Sequence, residues 1–253
     1  MPSTKRDWLI PASLIVLSLV PAIAGTGRML QLTDAANATP ENARFFAMPV
    51  PVLLHIPSVI LYSMLGALQF SPGFRRQNRR WHKVAGRVLL PSALLVAVSG
   101  LWMTLAYPWP AGDGVGVYVE RLMVGSWMLL AIVAGTDAIR RRKYVEHGEW
   151  MIRAYAIGMG AGTQVFTHLP WFILVDRAPG ELPRTVMMGL AWVINAVFAE
   201  WVIRRQRIDS AAAMRRIGGR RRDPGVVRAP ALPSRDVHAP DSLRPPARPL
   251  ARI

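Results

Sequence analysis

Apolar residues run along this chain in six blocks of about twenty, separated by short polar stretches. The blocks fall at about 8–32, 48–70, 88–107, 118–139, 151–175 and 185–203. A helix of about 20 apolar residues crosses the ~30 Å of hydrocarbon in a bilayer. The pattern therefore predicts an all-α, polytopic membrane protein with six transmembrane helices. Pro11, Pro21, Pro49, Pro51 and Pro57 lie inside blocks and are tolerable there, because neighbouring helices re-satisfy the freed backbone groups. The first block also has signal-peptide features: Lys5 and Arg6, an apolar run, then Ala22-Ile23-Ala24 before Gly25. The apolar run continues through Met29 and Leu30, so a retained helix is the expectation.

The polar stretches alternate in charge. Residues 1–7, the loop holding Arg75, Arg76, Arg79, Arg80 and Lys83, the run Arg140–Lys143, and the segment after Ile203 are basic. The stretches between them, 33–47, 108–117 and 176–184, are not strongly basic. Lys and Arg accumulate in cytoplasmic loops, so both termini are expected in the cytoplasm, with the chain in a bacterial inner membrane. Trp8, Trp81, Trp150 and Trp201 then fall near the inner interface, and Tyr107, Trp109, Tyr118 and Trp171 near the outer one, as an aromatic belt requires.

From about Arg204 the chain becomes basic and Pro-rich, without apolar periodicity. Residues 204–253 are predicted to be a disordered cytoplasmic tail, its Arg cluster lying against anionic lipid headgroups. A net charge of +16 first suggests nucleic acid. The basic residues, however, sit between apolar blocks, and no aromatics interleave the tail arginines to stack on bases. The chain has no Cys, which excludes disulfides, thiolate metal sites and Cys nucleophiles. It also shows no phosphate-cradling Gly loop, nucleophile elbow or His-Glu zinc motif.

The candidate chemistry lies in four histidines. His82 and His147 each stand where a basic loop enters a helix, at the inner edge. His55 lies about fifteen residues before the inner end of the second block, roughly 22 Å above it, and His168 lies roughly 31 Å from His147 along the fifth. Twenty-one residues is close to six helical turns, so His147 and His168 are expected to face a similar direction. Ionisable side chains inside membrane helices are costly and usually functional. Imidazole is the usual axial ligand of haem b, which a helical bundle holds between facing histidines. His82 with His147 would hold an inner haem, and His55 with His168 an outer one. Arg87 and Arg153 would pair with propionates or another carboxylate. A single histidine at a membrane interface is more often a headgroup or helix-cap contact than a ligand, and each arginine is also readable as an interfacial anchor. Asp137 and Glu200, near inner ends, are expected to pair with neighbouring arginines, and Glu120 with Arg121. Gly158, Gly160 and Gly162 make the fifth helix smooth, for close helix packing or for a flat cofactor.

Three motifs carry a resemblance: LGALQF at Leu65–Phe70, WHKVAGR at Trp81–Arg87 and HGEWMIRAYA at His147–Ala156. They resemble a bacterial family of predicted membrane proteins (domain of unknown function 2306), over about Leu53 to Phe198. Lys83 and Gly148 stand where Arg is common in that family. The histidine layout is more loosely similar to the two-haem transmembrane cytochromes b that pass electrons from ascorbate.

Three functions compete. One is a haem-b electron carrier or oxidoreductase of the membrane with a redox partner. The second is a small-molecule transporter or binding protein without redox chemistry, suggested by the two hairpins that each carry a basic loop, a histidine and an arginine. The third is an assembly or scaffold subunit acting through its tail.

Overall fold

The computed structural model describes residues 5–175 and 177–222. Residues 1–4, His238 and the rest of the Pro-rich segment 223–253 lie outside the described residues. Every regular element described is helical: α1 (Lys5–Gln31), a 3₁₀ turn (Ala35–Asn37), α2 (Ala43–Ala47), α3 (Pro49–Gln69), α4 (Pro72–Gln77), α5 (Arg79–Ala106), α6 (Val115–Arg140), α7 (Tyr144–Gly158), α8 (Gly160–Leu174) and α9 (Glu181–Arg222). Five of these, α1, α3, α5, α6 and α9, are long and apolar enough to cross a bilayer.

The expected fifth span is two helices of 15 residues each, α7 and α8, interrupted at Met159. Neither half alone spans a bilayer. The other differences are overshoots. The basic loop after the second block is almost wholly helical, as α4 and the first turns of α5, since Arg, Lys and Gln are good helix formers. The polar stretch 33–47 likewise holds a 3₁₀ turn and α2. The tail expected to be disordered from Arg204 is helical as far as Arg222, because Ala211–Ala213 with Arg, Gln and Met favour helix wherever no Pro intervenes. Met1–Arg207 forms one compact unit and Ile208–Ile253 a second.

Within the first unit α1 packs on α3, α3 on α5, α5 on α6, α6 on α7, and α8 returns to α1. The core of this ring is rich in alanine and tyrosine, with Leu89, Val96, Met128, Ile132 and Met159 packed among them. Ala67, Ala93, Ala97, Ala131 and Ala154 are buried with Tyr62 and Tyr155, while Val16, Ile23, Leu105, Ile173, Leu174, Val197 and Phe198 are exposed. Large apolar side chains facing outward are what membrane helices show, because lipid takes them without cost, while small residues inside allow close approach. An added Cβ at Gly66 would meet Tyr155 Cε2 at 2.7 Å, and one at Gly158 would meet Tyr62 Cε1 at 2.9 Å. Gly162 lies against the backbone carbonyl of Leu17, and Gly160 against the Trp192 ring. The fifth-span glycines are thus filled by neighbours.

The α6–α7 hairpin closes in a Schellman turn. Lys143 N–H donates to Ala138 O (2.9 Å) and Arg142 N–H to Ile139 O (3.1 Å). Arg142 occupies the left-handed position, at φ 61°. The connections after α3 and α6 form the basic face of the unit. Those around α2, between α5 and α6, and between α8 and α9 form the opposite face.

Candidate functional site

The break at Met159 organises the most developed polar network. With Met159 outside both helices, the carbonyl of Ala156 loses its ordinary partner in the ladder. Asn195 of α9 replaces it, donating Nδ2–H to Ala156 O (3.0 Å) and accepting from Thr163 Oγ1 (2.8 Å) on the far side of the break. One amide side chain therefore braces both halves. Irregular backbone at membrane depth is tolerated where it is covered by protein or lines a cavity, and here both apply.

The cavity, about 520 Å³, is lined by Ile157, Gly158, Ala161 and Gln164 from the broken helix, together with residues of α3, α5, α6 and α9. Its mouth lies at the opposite face from the basic loops. Phe45, Tyr107, Trp109 and Tyr118 line it there with Arg28, Arg44, Arg121 and Arg184, against a single acid, Asp113. Asp113 is buried, and Arg121 (2.6 Å) and Arg184 both bind it, so the acid holds both guanidiniums and leaves one positive charge in excess. Among the described residues, Arg28 and Arg44 make no such pair: Arg28 donates to Gln31 Oε1 (2.6 Å). Both guanidiniums instead stand over the Phe45 ring, at 4.9 and 4.6 Å from its centroid. Burial, and then the nearby charge of Arg28, hold the Arg44 guanidinium below its ordinary pKa. The rim is held by Tyr107, whose hydroxyl donates to Met48 O (2.7 Å) and whose ring meets Phe45 edge to face.

Below the rim the cavity wall includes His55. Its Nδ1 lies 3.0 Å from Ser99 Oγ. The Ser99 hydroxyl proton goes to the Leu95 carbonyl, which can only accept. Ser99 Oγ therefore accepts from His55 Nδ1–H, and Nε2 carries the lone pair.

The other histidines are placed differently. His147 Nδ1 donates to Gly135 O of α6 (2.8 Å) and His168 Nδ1 to Gln164 O of its own helix (2.8 Å). With the helix broken between them, these two hydrogen-bond to different elements. His168 is not among the residues lining the cavity with His55. His82 lies within electrostatic range of His147, and its Nδ1 is buried without a hydrogen-bond partner, as are both amide atoms of Gln69. For haem, the donor chemistry fits in part. His55, His147 and His168 each commit Nδ1–H to an oxygen and keep Nε2 as a donor atom, the state that ligating imidazoles adopt. Among the described residues no group of three or more His, Asp or Glu gathers at a metal-binding point. Arg87 is exposed on α5. Arg153 is engaged by Glu200 (2.5 Å) and stands over Trp150, which answers its charge within the chain.

Asp137 pairs with Arg141 and Glu200 with Arg153, as expected from the sequence. Glu120 and Arg121 do not pair: Arg121 turns to Asp113, and Glu120 lies against Gly189 of α9 with Oε2 buried and unpartnered. Adjacent helical residues point about 100° apart, so sequence neighbours were the wrong partners. The arginine mouth was missed because loops on that face are not strongly basic in total. A signal existed: Arg28, Arg44, Arg121 and Arg184 lie on the face that the charge rule leaves poor in arginine.

A family model of predicted membrane proteins, DUF2306, matches residues 52–203. This agrees with the span, about Leu53 to Phe198, over which the three motifs carried the resemblance. No curated protein and no solved structure matches the chain, and nothing in these comparisons carries the looser likeness to two-haem cytochromes b. The matched residues span α3 to α9 and include His55, His82, His147, His168 and the break at Met159. Covering more than half of a multi-pass helical membrane protein, the match places this chain in the DUF2306 family of predicted membrane proteins.

Proposed function

We propose that the chain is a small-molecule binding protein of the membrane, of the transporter kind, with its cavity open to the non-cytoplasmic side. The observation that carries this reading is the cavity of about 520 Å³ built on a discontinuous helix. Its volume is in the range of small-molecule sites. Discontinuous helices are where transporters place theirs, since the break frees backbone groups beside a cavity. In this reading α7 and α8 together make the fifth of six crossings. The basic face is cytoplasmic by the positive-inside rule, both termini lie there, and the membrane is a bacterial inner membrane. Arginines of the inner loops and of α9 contact anionic headgroups.

The absence of cysteine makes a direct test simple. Single Thr104→Cys, Gly100→Cys and Met128→Cys variants sample the cavity from rim to floor. In right-side-out vesicles a membrane-impermeant maleimide should label them at rates that fall with depth, and should not reach Gly148→Cys on the basic face. Labelling of Gly148→Cys alone would overturn the reading.

A second reading is a haem-b electron carrier. Its support is the shared imidazole tautomer and the unpartnered His82 Nδ1. His82 and His147 would hold one haem on the basic side, and His55 with His168 another towards the opposite face, with Arg87 free for a propionate. Haem, when bound, supplies one-electron transfer to a redox partner. Purified protein from haem-replete cells should then show a Soret band that weakens in His82→Ala or His147→Ala, and a colourless protein would sink this second reading.

A further inference from the structure

We infer that the cavity takes an amphipathic organic anion: a carboxylate or phosphate head held at Arg28 and Arg44, and an apolar body ending in a hydrogen-bond donor that His55 Nε2 accepts. The inference rests on the binding reading above and narrows it to a ligand class.

The charge argument comes first. Four arginines and one aspartate line the cavity, and the aspartate is bound to two of the four. Arg28 and Arg44 remain, and their shared contact with the Phe45 ring keeps the two positive charges within roughly 10 Å, near enough to repel. An anion bound to both offsets that repulsion, and guanidinium binds carboxylate and phosphate with paired hydrogen bonds. A cation at the same mouth would add to it.

Below the mouth the wall changes character. Val52, Ile56, Val59, Val96 and Met128 present hydrocarbon, so a second charge there would lose its water without a partner. His55 is a polar group on this wall, beside Thr104 and Gln164, and in the tautomer set by Ser99 its Nε2 is an acceptor. The spacing follows from α3. Met48, whose carbonyl holds the rim through Tyr107, precedes His55 by seven residues, about 10 Å along a helix. A head group and a donor separated by about that length would satisfy both ends.

A rigid probe of this shape is 6-hydroxy-2-naphthoate. Its controls are the methyl ester, which lacks the charge, and 2-naphthoate, which lacks the donor. Binding is read from thermal unfolding and titration of the full chain in phosphatidylcholine nanodiscs. The hydroxynaphthoate should bind at least 10-fold more tightly than its ester. Arg28→Gln/Arg44→Gln should abolish that difference, and Arg28→Lys/Arg44→Lys should keep most of it. His55→Phe should remove the preference for the hydroxyl while leaving the preference for the carboxylate. Each variant's ligand-free melting point reports whether it has folded. Nanodiscs containing phosphatidylglycerol separate two sources of the anion: competition assigns the head group to a lipid, and its absence to a soluble solute. Equal binding of acid and ester would overturn the inference and leave the binding reading standing. No binding of any probe would overturn it as well, and the binding reading falls too if Thr104→Cys stays unlabelled.

Discussion

Replacing Asn195 by Leu tests the brace across the broken helix. The substitution keeps the branched shape at Cγ and removes two hydrogen bonds, one from Asn195 Nδ2 to Ala156 O and one from Thr163 Oγ1 to Asn195 Oδ1. The two lost partners differ in their alternatives. Thr163 can turn its hydroxyl to a carbonyl in its own preceding turn. The Ala156 carbonyl has no such recourse, because the chain leaves the helix three residues later. Interhelical hydrogen bonds in membrane proteins average ~0.6 kcal/mol and reach ~1.7, so Asn195→Leu should cost about 1–3 kcal/mol. Thr163→Val removes one bond and leaves the other, and should cost about 0.6 kcal/mol. In the double variant, the threonine change should add little to the asparagine change, since their shared bond is lost only once. Asn195→Asp should be worse than Leu, because it turns an acceptor toward the Ala156 carbonyl. The assay is equilibrium unfolding in mixed dodecyl-maltoside and SDS micelles, followed by far-ultraviolet circular dichroism. An Asn195→Leu protein no less stable than Thr163→Val would refute the claim that the asparagine holds the break together.

Other positions give independent tests. Asp113→Asn leaves Arg121 and Arg184 facing each other without their shared acid; it should cost about 2–4 kcal/mol, and an unchanged melting temperature would show the pair of bridges to be inert. Gly66→Ala places a methyl 2.7 Å from a Tyr155 ring that cannot retreat, since its hydroxyl is tied to Ser63 O; a loss of about 1–3 kcal/mol is expected, read by the same unfolding titration. Arg142→Gly relieves a left-handed residue at φ 61° and should raise stability by about 0.5–1 kcal/mol; a decrease would mean that the Arg142 side chain contributes more than its backbone costs.

Five long apolar helices were legible because bilayer thickness writes itself into block length. Helix ends were not, because hydropathy stops at the lipid boundary while backbone hydrogen bonding does not. α5 begins at Arg79 and not near Val88, and α9 runs beyond Ile203, since cationic residues end an apolar block without ending a helix. The break at Met159 did leave a trace, because Gly158, Gly160 and Gly162 each disfavour a helix interior by about 1 kcal/mol. The glycines were read only as a smooth packing face, and the residue that stabilises the break is an asparagine on another helix. Pairing the histidines by depth assumed a continuous fifth helix, and α7 and α8 are separate helices. The cavity escaped notice for a different reason. Its arginines come from α1, α2, α6 and α9, and only the packed ring brings them to one rim.

The interrupted fifth span also bears on how the chain is made. Each half, at 15 residues, reaches about 22 Å, short of the ~30 Å hydrocarbon layer. The carbonyl opened at Ala156 is answered by a side chain 39 positions later. At about 5–20 residues per second, the ribosome delivers that partner some seconds after the break itself has emerged. During that interval the insertion machinery holds a segment that cannot yet close its own backbone. The last two spans are therefore expected to leave the translocon as a pair, and a chain stopped short of Asn195 to be a preferred target of membrane quality-control proteolysis.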